Sequence, residues 1–424
     1  MARSCPSCCE AKSVVIAKTL FPHQRYDARP PTVDVAWLDA IAPPAQEGDE
    51  WRRRMATVAQ AFRQADLRRV YLIHGTFVGD DVAGLAHLLA LVSPEWSGKL
   101  SAFEKQLADR YVRDSGNYTD AYAQLFARGI NSPEARGDGP SIDVRLLHWT
   151  SENHHLGRAD GAVRLIDDLA QANMPAGSRV LLWGHSHGGN LLALATHLLA
   201  APPAAVDSFF KASRPFWRSW LVSETRRKTW RRVRELLSDP DATVRRLRLD
   251  IVTFGTPIRY GWDSRGYDHL LHVVYHRPTE GVPSYFTRFP FSVKSALAAK
   301  RGDYVQQTGI AGTNIPPALL VFPSHMADRR LNRLLQSEVS LADTWKHLSA
   351  GLRVPEAGDT LLIDYREAAP RMHHGAYGHA IYTRSSWLLY HAELVARRWY
   401  VESPFAALSS LVPSSPAPPV TPAP

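Results

Sequence analysis

The sequence predicts an α/β fold, a mainly parallel sheet with helices on both faces, and three observations carry that prediction. Short apolar runs of strand length alternate with longer stretches of helical periodicity. The 424 residues are 45% hydrophobic and 21% charged, globular usage that excludes wholesale disorder and a disulfide-stapled miniprotein. A glycine-flanked serine also sits directly between one apolar run and an Ala/Leu-rich helical pattern.

Taken in order, residues 1–50 hold Pro30, Pro31, Pro43 and Pro44 without sustained periodicity and read as an irregular N-terminal arm. Strands are expected at 70–74, 142–149, 179–183, 247–254, 270–276 and 360–365. Helices are expected at 81–91, 156–172, 189–200 and 381–400; in the second, Leu156, Val163, Ile166, Leu169 and Ala170 share one face. This βαβ order spans one large domain, 51–402, with insertions at about 95–139, 202–246 and 277–357 that break the alternation. The tail 403–424 is Pro-rich and is expected to be disordered.

Composition limits the function classes. No apolar run reaches the roughly 18 residues of a membrane span, and the N-terminus offers no secretory h-region. The expectation is a soluble chain, cytoplasmic or exported without a signal peptide. Cys5, Cys8 and Cys9 crowd the N-terminus, lack a second Cys-x-x-Cys, and read as solvated thiols more than as a zinc site. The net charge of +9 is concentrated between Lys211 and Arg248, where twelve Lys and Arg face four acidic residues. There Phe209, Phe210, Phe216, Trp217, Trp220 and Trp230 interleave with the arginines. That mixture suits a helical hairpin with a solvated basic face, or contact with an anionic membrane surface. No nucleic-acid fold signature accompanies it, so nucleic acid is not the expected partner.

The strongest chemical signal is Gly184-His185-Ser186-His187-Gly188-Gly189. A sharp turn from strand to helix strains the middle residue and leaves no room for side chains two positions away, which Gly184 and Gly188 satisfy. Such a turn lifts the Ser186 hydroxyl above the sheet and aims the first helical N–H groups toward it. The competing reading is a glycine-rich turn whose serine merely caps the helix. A second element, His74-Gly75-Thr76, ends an earlier strand. The tetrahedral intermediate of acyl transfer needs two donors on its oxyanion, and the backbones of Thr76 and His187 are assigned to that task.

These residues resemble the α/β-hydrolase superfamily, and within it the bacterial lipase-like enzymes, whose elbow often reads Gly-His-Ser-His-Gly-Gly. The step Phe254-Gly255-Thr256-Pro257 is similar to a segment common in the same group. The resemblance covers about 70–400 and implies a serine nucleophile, a histidine after the last strand and a carboxylate after the penultimate one. His379, in Gly378-His379-Ala380, is the favoured base, with His373 and His374 as alternatives. Asp303, in Gly302-Asp303-Tyr304, is the favoured acid, with Glu280 next and Asp263, Asp359 and Asp364 behind. His185 and His187 flank the nucleophile too closely to be its base and are expected to pack or line the pocket.

The expectation is therefore a serine hydrolase that cleaves carboxylic esters, lipid-like ones in particular, through an acyl-enzyme. It needs no metal or organic cofactor, and the insertion 202–246 is expected to be a helical lid whose aromatic side faces an acyl chain. The alternative from another class is a hydrolase scaffold without catalysis that binds a membrane or a protein.

Overall fold

The computed structural model describes residues 35–40, 43–75, 117–136, 139–283, 285–287, 299–312, 317, 321–335, 354–355, 357–365 and 376–401. Thr76, His373, His374, the cysteine cluster, the helix expected at 81–91 and the Pro-rich tail lie outside these residues.

Among the described residues, seven strands form one sheet: β1 (Val35–Ala40), β2 (Leu67–Ile73), β3 (Asp143–Leu147), β4 (Arg179–His185), β5 (Arg248–Phe254), β6 (His269–Tyr275) and β7 (Asp359–Tyr365). They lie in the order β1-β7-β6-β5-β4-β2-β3, and every pair is parallel. The protein is thus of the α/β class.

The strand sequences explain this arrangement. A parallel sheet covered on both faces needs strands that are apolar throughout, because successive side chains alternate between the two faces. In β4, Val180 and Leu182 enter one apolar cluster while Leu181 and Trp183 enter the other. Tyr71 and Ile73 part from Val70 and Leu72 in the same way.

The first cluster is closed by α4 (His155–Gln171), α5 (His187–Ala200), α6 (Pro203–Trp217) and α7 (Glu224–Ser238); the second by α1 (Asp49–Gln64), α2 (Asp120–Asn131) and α10 (Leu388–Trp399). The longer α9 (Phe322–Leu335) adds Ala327, Leu331 and Leu335 to the first cluster and the short α3 (Pro133–Arg136) adds Ala135 to the second; α8 spans Tyr304–Gly312. No helix among the described residues is long and apolar enough to cross a membrane.

Three expectations need correction. The N-terminal arm is not irregular throughout: 35–40 pairs with β7 and α1 begins at Asp49. The prolines at 30–31 and 43–44 bracket the strand in sequence instead of interrupting it, and its place at the sheet edge tolerates such neighbours. The helix expected at 381–400 begins as 3₁₀ turns, Ala376–Thr383 and Ser385–Trp387, before α10.

The third correction concerns 202–246. Five of its six rings are core residues: Phe209, Phe210, Phe216, Trp217 and Trp230 are buried in the cluster that holds Leu156 and Leu198, while Trp220 is exposed. Asp160 and Asp167 lie two helical turns apart on α4 and draw α7 onto it. Asp160 accepts from Arg226 Nε at 2.8 Å and Trp230 Nε1 at 2.7 Å, and Asp167 accepts from Arg232 Nε at 2.7 Å. The basic charge of this segment is spent in part on buried acids, and its aromatic face meets the helix layer rather than an acyl chain.

Candidate active site

Strand β4 runs into α5 through one residue, Ser186, at φ 53° and ψ −132°. A non-glycine residue with positive φ costs roughly 1–3 kcal/mol and persists only where its surroundings fix it. Here the Ser186 N–H donates to Phe254 O at 2.9 Å, and its carbonyl accepts from Thr256 Oγ1 at 2.8 Å and from the Gly189 N–H at 3.0 Å. The glycines of the motif let neighbours approach. A Cβ on Gly188 would stand 2.7 Å from Ile73 O, and one on Gly189 would stand 2.2 Å from Thr256 Oγ1.

The serine side chain makes no capping bond to the helix it precedes. Ser186 is buried, and among the described residues its Oγ has no hydrogen-bond partner. The hydroxyl is held at the corner without serving the fold. Gly75, at the end of β2, touches it: a Cβ there would lie 2.4 Å from the Ser186 Cβ. His74-Gly75 and the serine motif 184–189, named together in the sequence, therefore meet. His187 opens α5, so its N–H belongs to the turn for which the helix supplies no acceptor.

The acid and the imidazole arrive from β6 and β7. Asp303 lies 28 residues beyond Tyr275, yet its N–H donates to Tyr275 O at 3.0 Å and the preceding Gly302 bridges His276. The excursion returns to the strand end from which it departed. Gly302 has φ 101°, and a Cβ there would stand 2.2 Å from Tyr275 O. Gly378 has φ 86°, and a Cβ there would stand 2.6 Å from Gly302 O. These two glycines bring the residues that follow them, Asp303 and His379, side by side.

The His379 Nδ1–H donates to Asp303 Oδ2 at 2.7 Å. Asp303 is fully buried and also accepts the Tyr382 hydroxyl at 3.0 Å on Oδ2 and the Gln306 N–H at 2.9 Å on Oδ1. His379 is linked back to the serine through His185, whose Nε2–H donates to His379 O at 3.2 Å and whose ring lies 4.6 Å from the His379 ring. His185 thus packs beneath the base. His187 is buried, and burial first, then the charges of Arg158 and Arg259, push its imidazole well below the ordinary 6.5.

The other carboxylates weighed from the sequence are engaged elsewhere. Asp263 pairs with Arg265 at 2.8 Å, Asp359 with Arg398 at 2.7 Å and Asp364 with Arg277 at 2.7 Å. Glu280 is exposed in a turn. Sequence reasoning missed Tyr382, Tyr275 and Gln306 as the partners that hold Asp303. The sole available signal was Tyr382 lying three residues after His379, one turn of a 3₁₀ helix.

Beside the corner, His74, Tyr118, Trp149 and Ser151 are among the residues that line a cavity of about 250 Å³ at the carboxyl ends of β2 and β3. Tyr118 lies edge-on to His185, with 6.2 Å between ring centroids. Among the described residues no cluster of three or more His, Cys, Asp or Glu side chains is arranged to hold a metal ion.

No protein family model, no curated protein and no solved structure matches the chain.

Proposed function

We propose that this protein is a serine hydrolase of the α/β-hydrolase type that cleaves carboxylic esters, lipid-like ones among them, through an acyl-enzyme. The single observation that carries the reading is the buried Asp303–His379 pair packed on His185, the residue that precedes the strained, non-capping Ser186. The chain order Ser, Asp, His and the carboxyl-end location of all three support it.

In the first half-reaction the Ser186 Oγ–carbonyl bond forms while its proton passes to His379 Nε2. As the tetrahedral intermediate collapses, the ester C–O bond breaks and that proton goes to the leaving alkoxide. Water then repeats the sequence on the acyl-enzyme, releasing the acid and restoring Ser186. Asp303 holds the tautomer with hydrogen on Nδ1 and stabilises the imidazolium that forms. The His187 N–H, with the Thr76 N–H, is assigned to the developing oxyanion. Trp220 and Leu221, 84% and 51% exposed beside Arg218, support contact with an anionic lipid surface.

Hydrolysis of p-nitrophenyl esters of graded chain length tests the reading. Turnover by the wild type that rises with chain length, and falls by about 10⁴-fold or more in Ser186→Ala, is the expected outcome. Absence of turnover at every length would assign the fold to a binding scaffold.

A further inference from the structure

The cavity at the carboxyl ends of β2 and β3 shares a backbone segment with the serine corner. His74, on its lining, precedes Gly75, which touches Ser186, and a Cβ on Gly188 in the first turn of α5 would stand 2.8 Å from His74 O. Trp149 Nε1 donates to the same carbonyl at 2.9 Å, and its ring stacks on the His74 imidazole with 5.8 Å between centroids.

The polar groups on this lining are only partly spent on the fold. His74 Nδ1 lies 2.9 Å from Gly75 O, and a carbonyl can only accept, so Nδ1 carries the hydrogen. Burial, opposed by that bond, holds the ring below its ordinary 6.5 and neutral at neutral pH. Nε2 then presents a lone pair, with no partner among the described residues. Ser151 Oγ stands 3.1 Å from the same Nδ1, so it accepts there and keeps its own hydrogen to offer. Ser151 is buried at φ 61°, a strained backbone for a residue with a side chain. Asn117 Oδ1 is buried without a hydrogen-bond partner among the described residues.

The chemistry of the lining selects among occupants. It holds no Lys, Arg, Asp or Glu side chain, so a phosphate or carboxylate would find no fixed counter-charge. An alkyl group would cut the polar atoms off from water without replacing their bonds. A neutral hydroxyl, which both donates and accepts, satisfies them. The volume of about 250 Å³ is several times the ~30 Å³ share of one water and below the roughly 300–1,000 Å³ of pockets that enclose a whole ligand, so it suits part of a molecule. His148, an exposed residue, belongs to the lining, and the cavity therefore meets the surface.

We propose that this cavity is a subsite for an uncharged, hydroxyl-bearing group of the ester substrate, held by His74 Nε2, the Ser151 hydroxyl and Asn117 Oδ1. Naming the group as part of an ester rests on the hydrolase reading; the preference of the cavity for hydroxyls does not. Two parts of an ester can carry such a group, its alcohol and its acyl chain, and paired esters separate them.

Binding is read first, by calorimetric titration of full-length Ser186→Ala protein, so no turnover is needed. Glycerol 1-monobutanoate and propyl butanoate differ by two hydroxyls on the alcohol side; methyl 3-hydroxybutanoate and methyl butanoate differ by one on the acyl side. The hydroxylated member of one pair is expected to bind about 10-fold more tightly than its partner, and the pair that shows this identifies the side. That preference should shrink about 5-fold or more in Ser186→Ala/His74→Phe, which keeps a ring on Trp149 while removing both nitrogens, and in Ser186→Ala/Ser151→Ala. No preference in either pair, or a preference that survives both substitutions, would overturn the subsite and leave the cavity to water.

Hydrolysis of the same four esters by the wild type separates this proposal from the reading it rests on. A binding preference without turnover leaves the subsite standing and sinks the hydrolase reading. Turnover with no preference in binding sinks the subsite alone.

Discussion

Tyr382 hydrogen-bonds to Asp303 Oδ2 at 3.0 Å and, through the same hydroxyl, accepts the Tyr275 N–H at 2.7 Å. One side chain therefore ties the candidate acid to the end of β6. Burial, followed by the Asp303 charge, raises the Tyr382 hydroxyl well above its ordinary range, so it stays a donor.

Tyr382→Phe tests this positioning role. It removes a donor from a buried carboxylate and strands the Tyr275 N–H, at a cost of about 1–3 kcal/mol in stability. Esterase kcat should fall about tenfold. An unchanged kcat with lost stability would make Tyr382 a structural residue.

Asp303→Asn should be far more damaging than changes to the other carboxylates considered. An amide at this position can offer N–H to His379 Nδ1 and favour the wrong tautomer, a change expected to lower kcat by about 10⁴-fold. Asp364→Asn and Glu280→Gln, whose side chains face Arg277 and solvent, should alter kcat by less than about threefold. Steady-state kinetics of the three variants checks the ordering, and a fully active Asp303→Asn would hand the role to another acid.

Two tryptophans in the basic segment should behave in opposite ways. Trp230 is fully buried and donates to Asp160, so Trp230→Ala should destabilise by about 3–5 kcal/mol in urea unfolding. Trp220 is 84% exposed, and Trp220→Ala should change stability by under about 0.5 kcal/mol while weakening co-sedimentation with anionic vesicles. A stable, lipid-defective Trp230→Ala would restore the lid reading of this segment.

Acid should destabilise the fold through buried imidazoles. His272 and His391 start from an ordinary 6.5, and burial lowers them to about 4 and about 3. Burial holds His272 neutral, its Nδ1 lying 2.6 Å from the Thr253 hydroxyl, while the bond its Nε2–H donates to Ala357 O at 3.0 Å favours the charged ring and offsets part of that effect. The unfolded chain takes up protons below about pH 6.5, whereas the folded chain resists until the lower values are reached. This stability is complete above about pH 6.5 and is lost as pH falls toward 4 and 3, about 3 kcal/mol for His272 alone. Thermal midpoints at about pH 7.5 and 4.5 should differ less in His391→Gln than in the wild type, and equal differences would contradict the assignment.

Strands were legible where burial on both faces makes them apolar throughout, as in Val180-Leu181-Leu182-Trp183. Strand β1 was not, because its neighbouring prolines mask a short edge strand. The serine corner could be located because its glycines are a local steric requirement. The choice of Asp303 over Glu280 was open in sequence, since it depends on a returning excursion that hydrogen-bonds to Tyr275. The aromatic, basic segment misled for a related reason. Its partners, Asp160 and Asp167, lie more than fifty residues away, and no local pattern announces that they are buried.

Active-site labelling decides whether Ser186 is an activated nucleophile. The full-length protein treated with a fluorophosphonate, digested and sequenced by mass spectrometry should carry the adduct on Ser186. Labelling should vanish in Ser186→Ala and slow at least about 100-fold in His379→Ala. A wild-type chain that stays unlabelled, or an adduct on another residue that persists in Ser186→Ala, would contradict the account.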